Sequence, residues 1–348
     1  MRWREYAVLA RIEKMLSMPV LWIFIVLCLA FNIWIIPIGL NTEFDTTTQF
    51  PVNVFENYNT DETAEAYISF FGLTGGVAEK MKAKYDALQA AVDERAIAED
   101  SYTAYLGEHT YDIHLRLFHS FGLMGSLLLQ GILLAVLLAL LGVGYEQINH
   151  TEHSIYATKT GRRIIYYKIS ASLAAGIGLY IIFTLITLAI YFFVFDYSNV
   201  WGSSVSSGFN FIRDIAGDRP FATWQSFTVA TYLWASLAVS FGLIICFTIM
   251  SVIIGALSKN SYIGFLTVIL VNAVCMALPV IVSRNLFSHY ITLQTPILLW
   301  WNSGLWFTDG GFITLWKNFE LWGTGISLLI LSALCVLTVK IFEKRDIA

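Results

Sequence analysis

The stretch at 120–143 reads SFGLMGSLLLQGILLAVLLALLGV, and it decides the fold of this chain. It contains no charged side chain, and its polar residues are small or neutral. A bilayer with a hydrocarbon core of roughly 30 Å needs about 20 consecutive apolar residues in helical form. The stretch therefore predicts a helix that spans a membrane.

Five further stretches share this length and character, and the composition agrees with them. Hydrophobic residues make up 57% of the 348 residues and charged residues only 13%, against roughly a quarter charged in soluble domains. The predicted spans are 20–40, 120–143, 169–195, 227–257, 262–282 and 321–341. We predict an all-α integral membrane protein with six transmembrane helices in one bundle.

The distribution of basic residues predicts the orientation of that bundle. If both termini are cytoplasmic, twelve of the 21 basic residues lie in short inner segments. Those residues are Arg2, Arg4, Arg11, Lys14, Lys159, Arg162, Arg163, Lys168, Lys259, Lys340, Lys344 and Arg345. Inner loops of membrane proteins carry an excess of Lys and Arg, so the pattern predicts that both ends of the chain are inside.

The first apolar run follows a basic segment, as the core of a signal peptide does. It is too long for one, contains Pro37 and lacks a small-residue cleavage site, so we expect an uncleaved anchor. Residues 1–19 alternate apolar residues such as Trp3, Leu9 and Ile12 with Arg and Glu. This spacing predicts an amphipathic elbow helix on the inner leaflet.

Residues 41–119 form the predicted extracellular domain, an insert between the first two spans. Within it, Val77 to Leu106 has apolar residues at three- and four-residue steps, which predicts an amphipathic helix of about eight turns. A structural cap over the bundle is the favoured interpretation. A role in substrate gating or partner docking is the alternative.

Residues 283–320 form a second large outer loop that is rich in tryptophan. Its apolar part is too short to span and is broken by Pro296 and Gly304, which predicts a re-entrant or interfacial helix. We expect the tryptophans here to form an outer aromatic belt, in preference to a site that stacks on substrate; they are Trp300, Trp301, Trp306, Trp316 and Trp322.

Motifs for catalysis or metal binding are absent from the sequence. There is no GxxxxGK[ST] loop for phosphates and no GxSxG nucleophile turn. His150 and His153 flank Glu152 at a spacing that does not suit two zinc ligands on one helical face. We therefore expect no catalytic residue, no metal site and no directly bound cofactor, and hence no enzyme activity in this chain itself.

The deepest polar residues of the predicted spans are neutral. They are Asn32, Gln130 and Asn272, and no ionisable residue is predicted at mid-membrane depth. Ion-coupled carriers need such groups, so a carrier driven by protons or sodium is disfavoured. The three amides are expected to join helices by hydrogen bonds; lining a substrate pathway is the less favoured alternative.

The inner segment 144–168 is the most distinctive part of the chain. After Gly144 it reads YEQINHTEHSIYATKTGRRIIYYK, a short polar helix pattern followed by a Gly161 break and a basic pair. A polar helix just inside the membrane could press into a groove of a partner. By physical pattern alone, a solvated loop is equally favoured.

This segment resembles the first inner loop of the permease subunits of ABC transporters of the ABC-2 type. The matching residues are Glu146, Thr151, Glu152, Ile155, Tyr156, Thr158, Thr160, Arg162 and Lys168, while His150 stands where the family often has Gly. The amphipathic elbow, the re-entrant segment and the basic end of the last helix also resemble that family. The large insert resembles a Gram-positive subgroup associated with efflux of antimicrobial peptides or other antibiotics.

The resemblance implies a partner and a mechanism. Two permease chains, identical or different, would form the pathway in the bacterial plasma membrane, and a separate ABC ATPase subunit bound beneath each would hold ATP and magnesium. Contact with the ATPase would involve Glu146, Thr151, Glu152, Ile155, Tyr156 and Arg162. The substrate would be amphipathic, such as an antimicrobial peptide, an antibiotic or a lipid, and nucleic acid is not an expected partner. The alternative is a peptide-sensing or immunity protein without transport turnover.

Overall fold

A computed structural model of the chain describes residues 2–39, 53, 55–98, 117–119, 121–149, 151, 161–198, 201–206 and 211–344. Helices dominate the structure. In chain order they are α1 Arg2–Leu16, α2 Pro19–Ile35, α3 Thr60–Phe71, α4 Gly75–Ala98, α5 Leu123–Ile148, α6 Ile164–Val194, α7 Val229–Leu257, α8 Ser261–Ile281, α9 Phe287–Thr292, α10 Pro296–Trp301 and α11 Phe319–Lys344.

Among the described residues, five helices are long and apolar enough to cross a membrane. They are α5, α6 with the short 3₁₀ turn before it, α7, α8 and α11, and a sixth span results if the bent pair α1 and α2 counts as one. The sequence predicted a longer first span, 20–40. The α-helix ends at Ile35 because Pro37 cannot donate a backbone hydrogen bond, and the chain continues as a 3₁₀ turn over Ile36–Gly39.

The bend between α1 and α2 measures 64°. It falls at Ser17 and Met18, and Pro19 then opens α2, a position where its missing N–H costs nothing. The indole N–H of Trp22 donates to the carbonyl of Leu16 across the bend at 2.7 Å. The axis of the amphipathic α1 is therefore turned sharply from that of α2, and α1 packs against α5 and α6.

The core of the bundle is formed by α5 and α7. Of the most apolar window of each helix, 72% is buried in α5 and 61% in α7, against 33% in α6, 17% in α8 and 11% in α11. The helices α6, α8 and α11 surround this pair. Their outward faces carry rows of exposed leucine, isoleucine and valine, which is the pattern expected of helices in contact with lipid.

Close packing at the centre depends on a glycine. A Cβ atom at Gly131 of α5 would overlap the ring of Tyr180 on α6 and lie 3.0 Å from Ile244 of α7. Small residues at such points let helix backbones approach closely in membranes. Gly131 is thus the contact point of the three central helices.

The two ends of the bundle differ in what they carry. At one end, called here the insert end, α4 is bonded to the segments that lead into α7 and α11, and α3 packs on α4. At the other, the terminal end, α1 and the carboxyl end of α11 meet the end of α5 and the start of α6. The insert end also contains an antiparallel hairpin of β1 Phe211–Asp214 and β2 Gly217–Pro220.

The hairpin is a small addition to a structure that is otherwise helical, as an all-α membrane protein would be. It was missed because its strands have four residues each and carry Asp, Arg and Pro, which lack strand propensity. Its tight turn relies on Gly217, whose φ is +90°. The predicted helix of the insert is also shorter in its described part, since α4 covers Gly75–Ala98 and a separate helix, α3, precedes it; residues 99–106 lie outside the described ranges.

The outer loop at 283–320 contains two six-residue helices, α9 and α10, instead of a single longer helix. The chain turns at Gln294 and Thr295 between them, and Pro296 occupies the first position of α10. Trp306 is 2% exposed and donates its indole N–H to Leu299, whereas Trp322 is 67% exposed. The tryptophans are therefore divided between the core and the outer surface of the bundle.

We predict that Gly131→Ala destabilises the bundle, since its Cβ would collide with Tyr180. Overpacking of this kind costs about 1–3 kcal/mol. The apparent melting temperature of the detergent-solubilised protein should fall by at least about 3 °C. The matched control is Gly178→Ala on α6, where nothing lies within 4 Å of a new Cβ. Equal melting temperatures for the two variants would contradict the packing described here.

Candidate functional site

The terminal end contains a buried ion-pair junction centred on Glu146, in the last turn of α5. Its carboxylate lies 2.8 Å from the guanidinium of Arg11 on α1 and 2.5 Å from the ammonium of Lys168 on α6. Glu146 is 2% exposed and Lys168 is 3% exposed. One carboxylate therefore joins three helices at the point where the inner segment leaves α5.

Neighbouring contacts tighten the junction. Lys168 also donates to the carbonyl of Val143 on α5 at 2.6 Å. Lys14 of α1 lies over the ring of Tyr145, 5.3 Å from its centroid, at a distance suited to a cation–π contact. The junction holds two cations around one anion, and it is buried, so removal of the anion would leave uncompensated positive charge.

The far side of the inner segment is attached to a different helix. The guanidinium of Arg162, in the 3₁₀ turn that precedes α6, donates to the backbone carbonyl of Glu343 near the end of α11 at 3.0 Å. Carbonyls in the last turn of a helix have no partner within the helix, and a basic side chain satisfies one of them here. The segment is thus anchored to α5 at its start and to α11 at its end.

The predicted coupling residues divide into two groups. The side chains of Glu146 and Arg162 make the contacts described above, and Thr151 is exposed and donates its backbone N–H to the carbonyl of Glu146 at 2.9 Å. Glu152, Ile155 and Tyr156 lie outside the described residues. Arg11 of α1, which sequence reasoning did not connect with Glu146, completes the junction.

The predicted pathway residues lie within the bundle. Asn32 of α2 and Gln130 of α5 exchange two side-chain hydrogen bonds of 2.9 and 2.8 Å, and Asn32 also reaches Thr187 of α6 at 3.3 Å. Both amides are buried. Asn272 bonds to the carbonyl of Val268 in its own helix. The geometry of Asn32 and Gln130 is that of a link between helices, worth on the order of 0.6 kcal/mol per bond in membrane bundles.

The insert end carries a second buried charged cluster. Arg219 of β2 donates to Asp309 at 2.6 Å and to Asp214 at 3.1 Å, and also to the hydroxyl of Tyr67 on α3 at 3.0 Å. Tyr67 in turn donates to Asp214. The hydroxyl of Tyr85 on α4 donates to the same carboxylate oxygen of Asp309 at 2.5 Å.

Two further cations on α4 attach the insert to the bundle. Lys84, 5% exposed, donates to the backbone carbonyls of Asp309, Gly311 and Thr314 at 3.1, 2.6 and 3.0 Å. Arg95, 1% exposed, reaches the hydroxyl of Thr223 and the carbonyl of Gln225. The insert is therefore held by polar bonds to the segments that lead into α7 and α11.

Burial and charge shift the pKa values of this cluster in opposite directions. Burial lowers the pKa of Lys84 to about 7, against an opposing effect of Asp309. Burial acts to raise the pKa of Asp309, but Arg219 and Lys84 outweigh it and hold that pKa below its ordinary value. Burial raises the pKa of Tyr85 well above its usual range, so the phenol remains a donor to Asp309.

The sequence contained a signal for this cluster. Lys84 and Arg95 fall in the same three- and four-residue spacing as Met81, Leu88 and Val92, the apolar stripe of α4. A basic residue within an apolar stripe must find partners when the stripe is buried. Its partners, Asp309 among them, lie more than 200 residues away for Lys84, so spacing alone could not identify them.

No group of three or more His, Cys, Asp or Glu side chains in the part of the chain that the structure describes could hold a metal ion. Comparisons with protein-family profiles, with curated proteins and with solved structures found no match.

We predict that Glu146→Gln destabilises the terminal junction, because Arg11 and Lys168 would lose their shared counter-charge. Breaking a buried ion pair costs about 3–5 kcal/mol, which should appear as a lower apparent melting temperature. Glu13→Gln, an exposed change on α1, is the matched control and should melt as wild type does. Adding Lys168→Met to Glu146→Gln should recover part of the loss; an equal or larger loss in the double variant would contradict the pairing.

We predict that Arg219→Met opens the insert cluster, because it leaves Asp309 buried without its main cation. We expect the free energy of opening of the insert to fall by at least about 3 kcal/mol. The amide hydrogens of α3 and α4 should then exchange about a hundredfold faster. Lys82→Met, which removes an exposed pair with Glu65 at 3.8 Å, is the control. That change should alter exchange by less than about fivefold, as surface ion pairs contribute under 1 kcal/mol. Similar exchange in both variants would refute a clamping role for Arg219.

Proposed function

We propose that this chain is a multi-pass cell-membrane protein and the permease subunit of an ATP-driven exporter of the ABC-2 type. In this proposal both termini are cytoplasmic, so the terminal end faces the cytoplasm and the insert end faces outward. The substrate is amphipathic, such as an antimicrobial peptide, an antibiotic or a lipid. Two such chains form the pathway, and separate ATPase subunits bind and hydrolyse ATP with magnesium.

The observation that supports this proposal is the anchoring of both ends of the inner segment. Glu146 fixes its start to α1 and α6 through Arg11 and Lys168, and Arg162 fixes its end to α11. A force applied to the residues between these anchors would be transmitted to α1, α5, α6 and α11 together. A solvated loop without a mechanical role has no need of buried charges at its attachment points, since such charges are costly to bury.

The residues then have distinct roles. Glu146 and Arg162 position the segment, Thr151 continues from its first anchor, and Glu152, Ile155 and Tyr156 supply the contact surface for the ATPase. The chain itself is not an enzyme in this proposal, since the sequence lacks a phosphate-binding loop. Asn32 and Gln130 join helices near the pathway and do not bind substrate.

The rival function is a peptide-sensing or immunity protein that captures its ligand at the insert without turnover. The clamped insert favours a rigid cap over a domain that reshapes itself around a ligand, because Lys84, Arg95 and Arg219 are all buried and bonded. The two functions differ in one measurable respect: only a transporter complex hydrolyses ATP faster when its substrate is added.

We predict that a separate ATPase subunit co-purifies with the tagged chain from its native membrane in mild detergent. The double variant Ile155→Asp, Tyr156→Asp should lose that subunit, because two charges would replace the apolar contact surface. Mass spectrometry of the co-purified proteins is the measurement. The control is Tyr262→Asp, an equally drastic change of an exposed aromatic residue at the start of α8, which should retain the ATPase.

Absence of any ATPase with the wild-type chain would overturn the permease proposal and leave the sensing or immunity function. If both variants lost the ATPase alike, Ile155 and Tyr156 would have no specific role in binding it. Melting curves of both purified variants establish whether they fold as the wild type does.

A further inference from the structure

A groove of about 440 Å³ runs along the outer surface of α11 near the insert end. One wall is the turn between α9 and α10, with Gln294, Thr295 and Pro296. The other is the face of α11 from Phe319 through Ile326 to Ile330. A water molecule occupies about 30 Å³ in the liquid, so the groove has more than ten times the volume of one water molecule.

The groove is built into the fold by a close contact at its closed side. A Cβ atom at Gly323 would lie 2.9 Å from the Leu299 side chain and 3.1 Å from the carbonyl of Gln294. The absence of a side chain there lets the turn rest directly on α11. The side-chain amide of Gln294 donates to the carbonyls of Tyr290 and Ile313, both at 3.2 Å, and so holds the turn in place.

The length of the groove is close to the depth of the hydrocarbon layer of one leaflet. Phe319 and Ile330 are eleven residues apart on α11, which corresponds to roughly 16 Å along a helix with a rise of 1.5 Å per residue. The hydrocarbon layer of one leaflet is about 15 Å deep, half of a core of roughly 30 Å. The groove is therefore about as long as one leaflet is deep.

The surroundings of the groove are apolar. Only 11% of the most apolar window of α11 is buried, and Ile326, Leu329 and Ile330 are more than half exposed. Indole rings of Trp316 and Trp322 lie at the insert end of the lining. Tryptophan prefers the boundary between hydrocarbon and headgroups, with its ring in apolar surroundings and its N–H toward polar groups.

We propose that this groove binds one acyl chain of a phospholipid from the insert-side leaflet, with the headgroup beside Trp316 and Trp322. The apolar lining gives the chain a longer residence than the open faces of the bundle do. The proposal depends on the membrane embedding proposed above and is independent of an ATPase partner. A lipid fits better than a second copy of the chain, because the lining is about as long as one leaflet is deep and has indole rings at its insert end, where a headgroup would lie.

The test uses purified full-length chain in lipid nanodiscs that contain phosphatidylglycerol with a diazirine group in the middle of one acyl chain. After illumination, mass spectrometry locates the adducts. In the wild type, adducts at 291–296 and 326–330 should be enriched at least about fivefold over those at Leu270 and Val280 of α8, which corresponds to roughly 1 kcal/mol. Those two residues are 64% and 87% exposed and report ordinary contact with lipid.

Two variants of α11 make the test specific. Ser327→Trp fills the groove, since Ser327 belongs to its lining, and should abolish the enrichment. Leu329→Trp adds the same side chain at a position that is 72% exposed and does not line the groove, and should leave the enrichment intact. Uniform labelling of α8 and α11 in the wild type, or enrichment that persists in Ser327→Trp, would overturn the proposal.

A groove covered by a second copy would give a different pattern. Its residues would be protected from the photoreactive lipid, and a Ser327→Cys variant would form a disulfide between two chains on mild oxidation. That outcome also overturns the lipid site. Labelling at Leu270 and Val280 shows whether the chain is embedded, so loss of the lipid site is distinguished from failure of the membrane proposal, and neither reading involves the ATPase.

Discussion

The packing of α5 against α7 is the constraint on which the other contacts of the bundle depend. These helices have the largest buried shares of the five long apolar helices, and backbone groups within each are satisfied by the helix itself, as they must be in an apolar surrounding. Apolar side chains gain little by leaving lipid for a protein interior, so close fit must supply the stability. The bare backbone of Gly131 against Tyr180 and Ile244 shows how that fit is obtained.

Polar interactions are arranged by position along the bundle. Its interior uses neutral amides, as in the Asn32 and Gln130 pair, whose partners satisfy each other without any charge. Among the described residues, the buried carboxylates of Glu146 and Asp309 lie at the two ends of the bundle, and each has cationic partners. This arrangement suits a membrane, because the cost of a charge is greatest at the centre of the bilayer and smaller toward its faces. Ion pairs thereby fix the relative positions of the helices at the two ends of the bundle, whereas close packing of side chains fixes them in the interior.

The sequence predicted the long apolar helices because a run of about 20 apolar residues is typical of a helix that spans a membrane. It also predicted the break near Pro296 and the bond-forming character of Asn32 and Gln130. It did not predict that Glu146 is enclosed by Arg11 and Lys168, nor that Asp309 receives Arg219 and Tyr85, since these partners are distant along the chain and leave no periodic pattern. The β-hairpin was missed because its strands are short and polar, and Tyr67 of the insert, which bonds to Asp214 and Arg219, precedes them by 147 and 152 residues.

The attachment of α1 also has a consequence for the order of folding. Arg11 is synthesised before its partners, since Glu146 follows it by 135 residues and Lys168 comes later still. The helix α1 therefore cannot reach its final position until α5 and α6 have been synthesised. The contact of Arg162 with the carbonyl of Glu343 spans 181 residues, and contacts between residues so far apart form late, so the terminal end is complete only after α11 has formed as well. If the chain ended before residue 146, Arg11 of α1 would lack the carboxylate of Glu146 as its partner. The unpaired basic face of α1 would then mark the chain as incomplete.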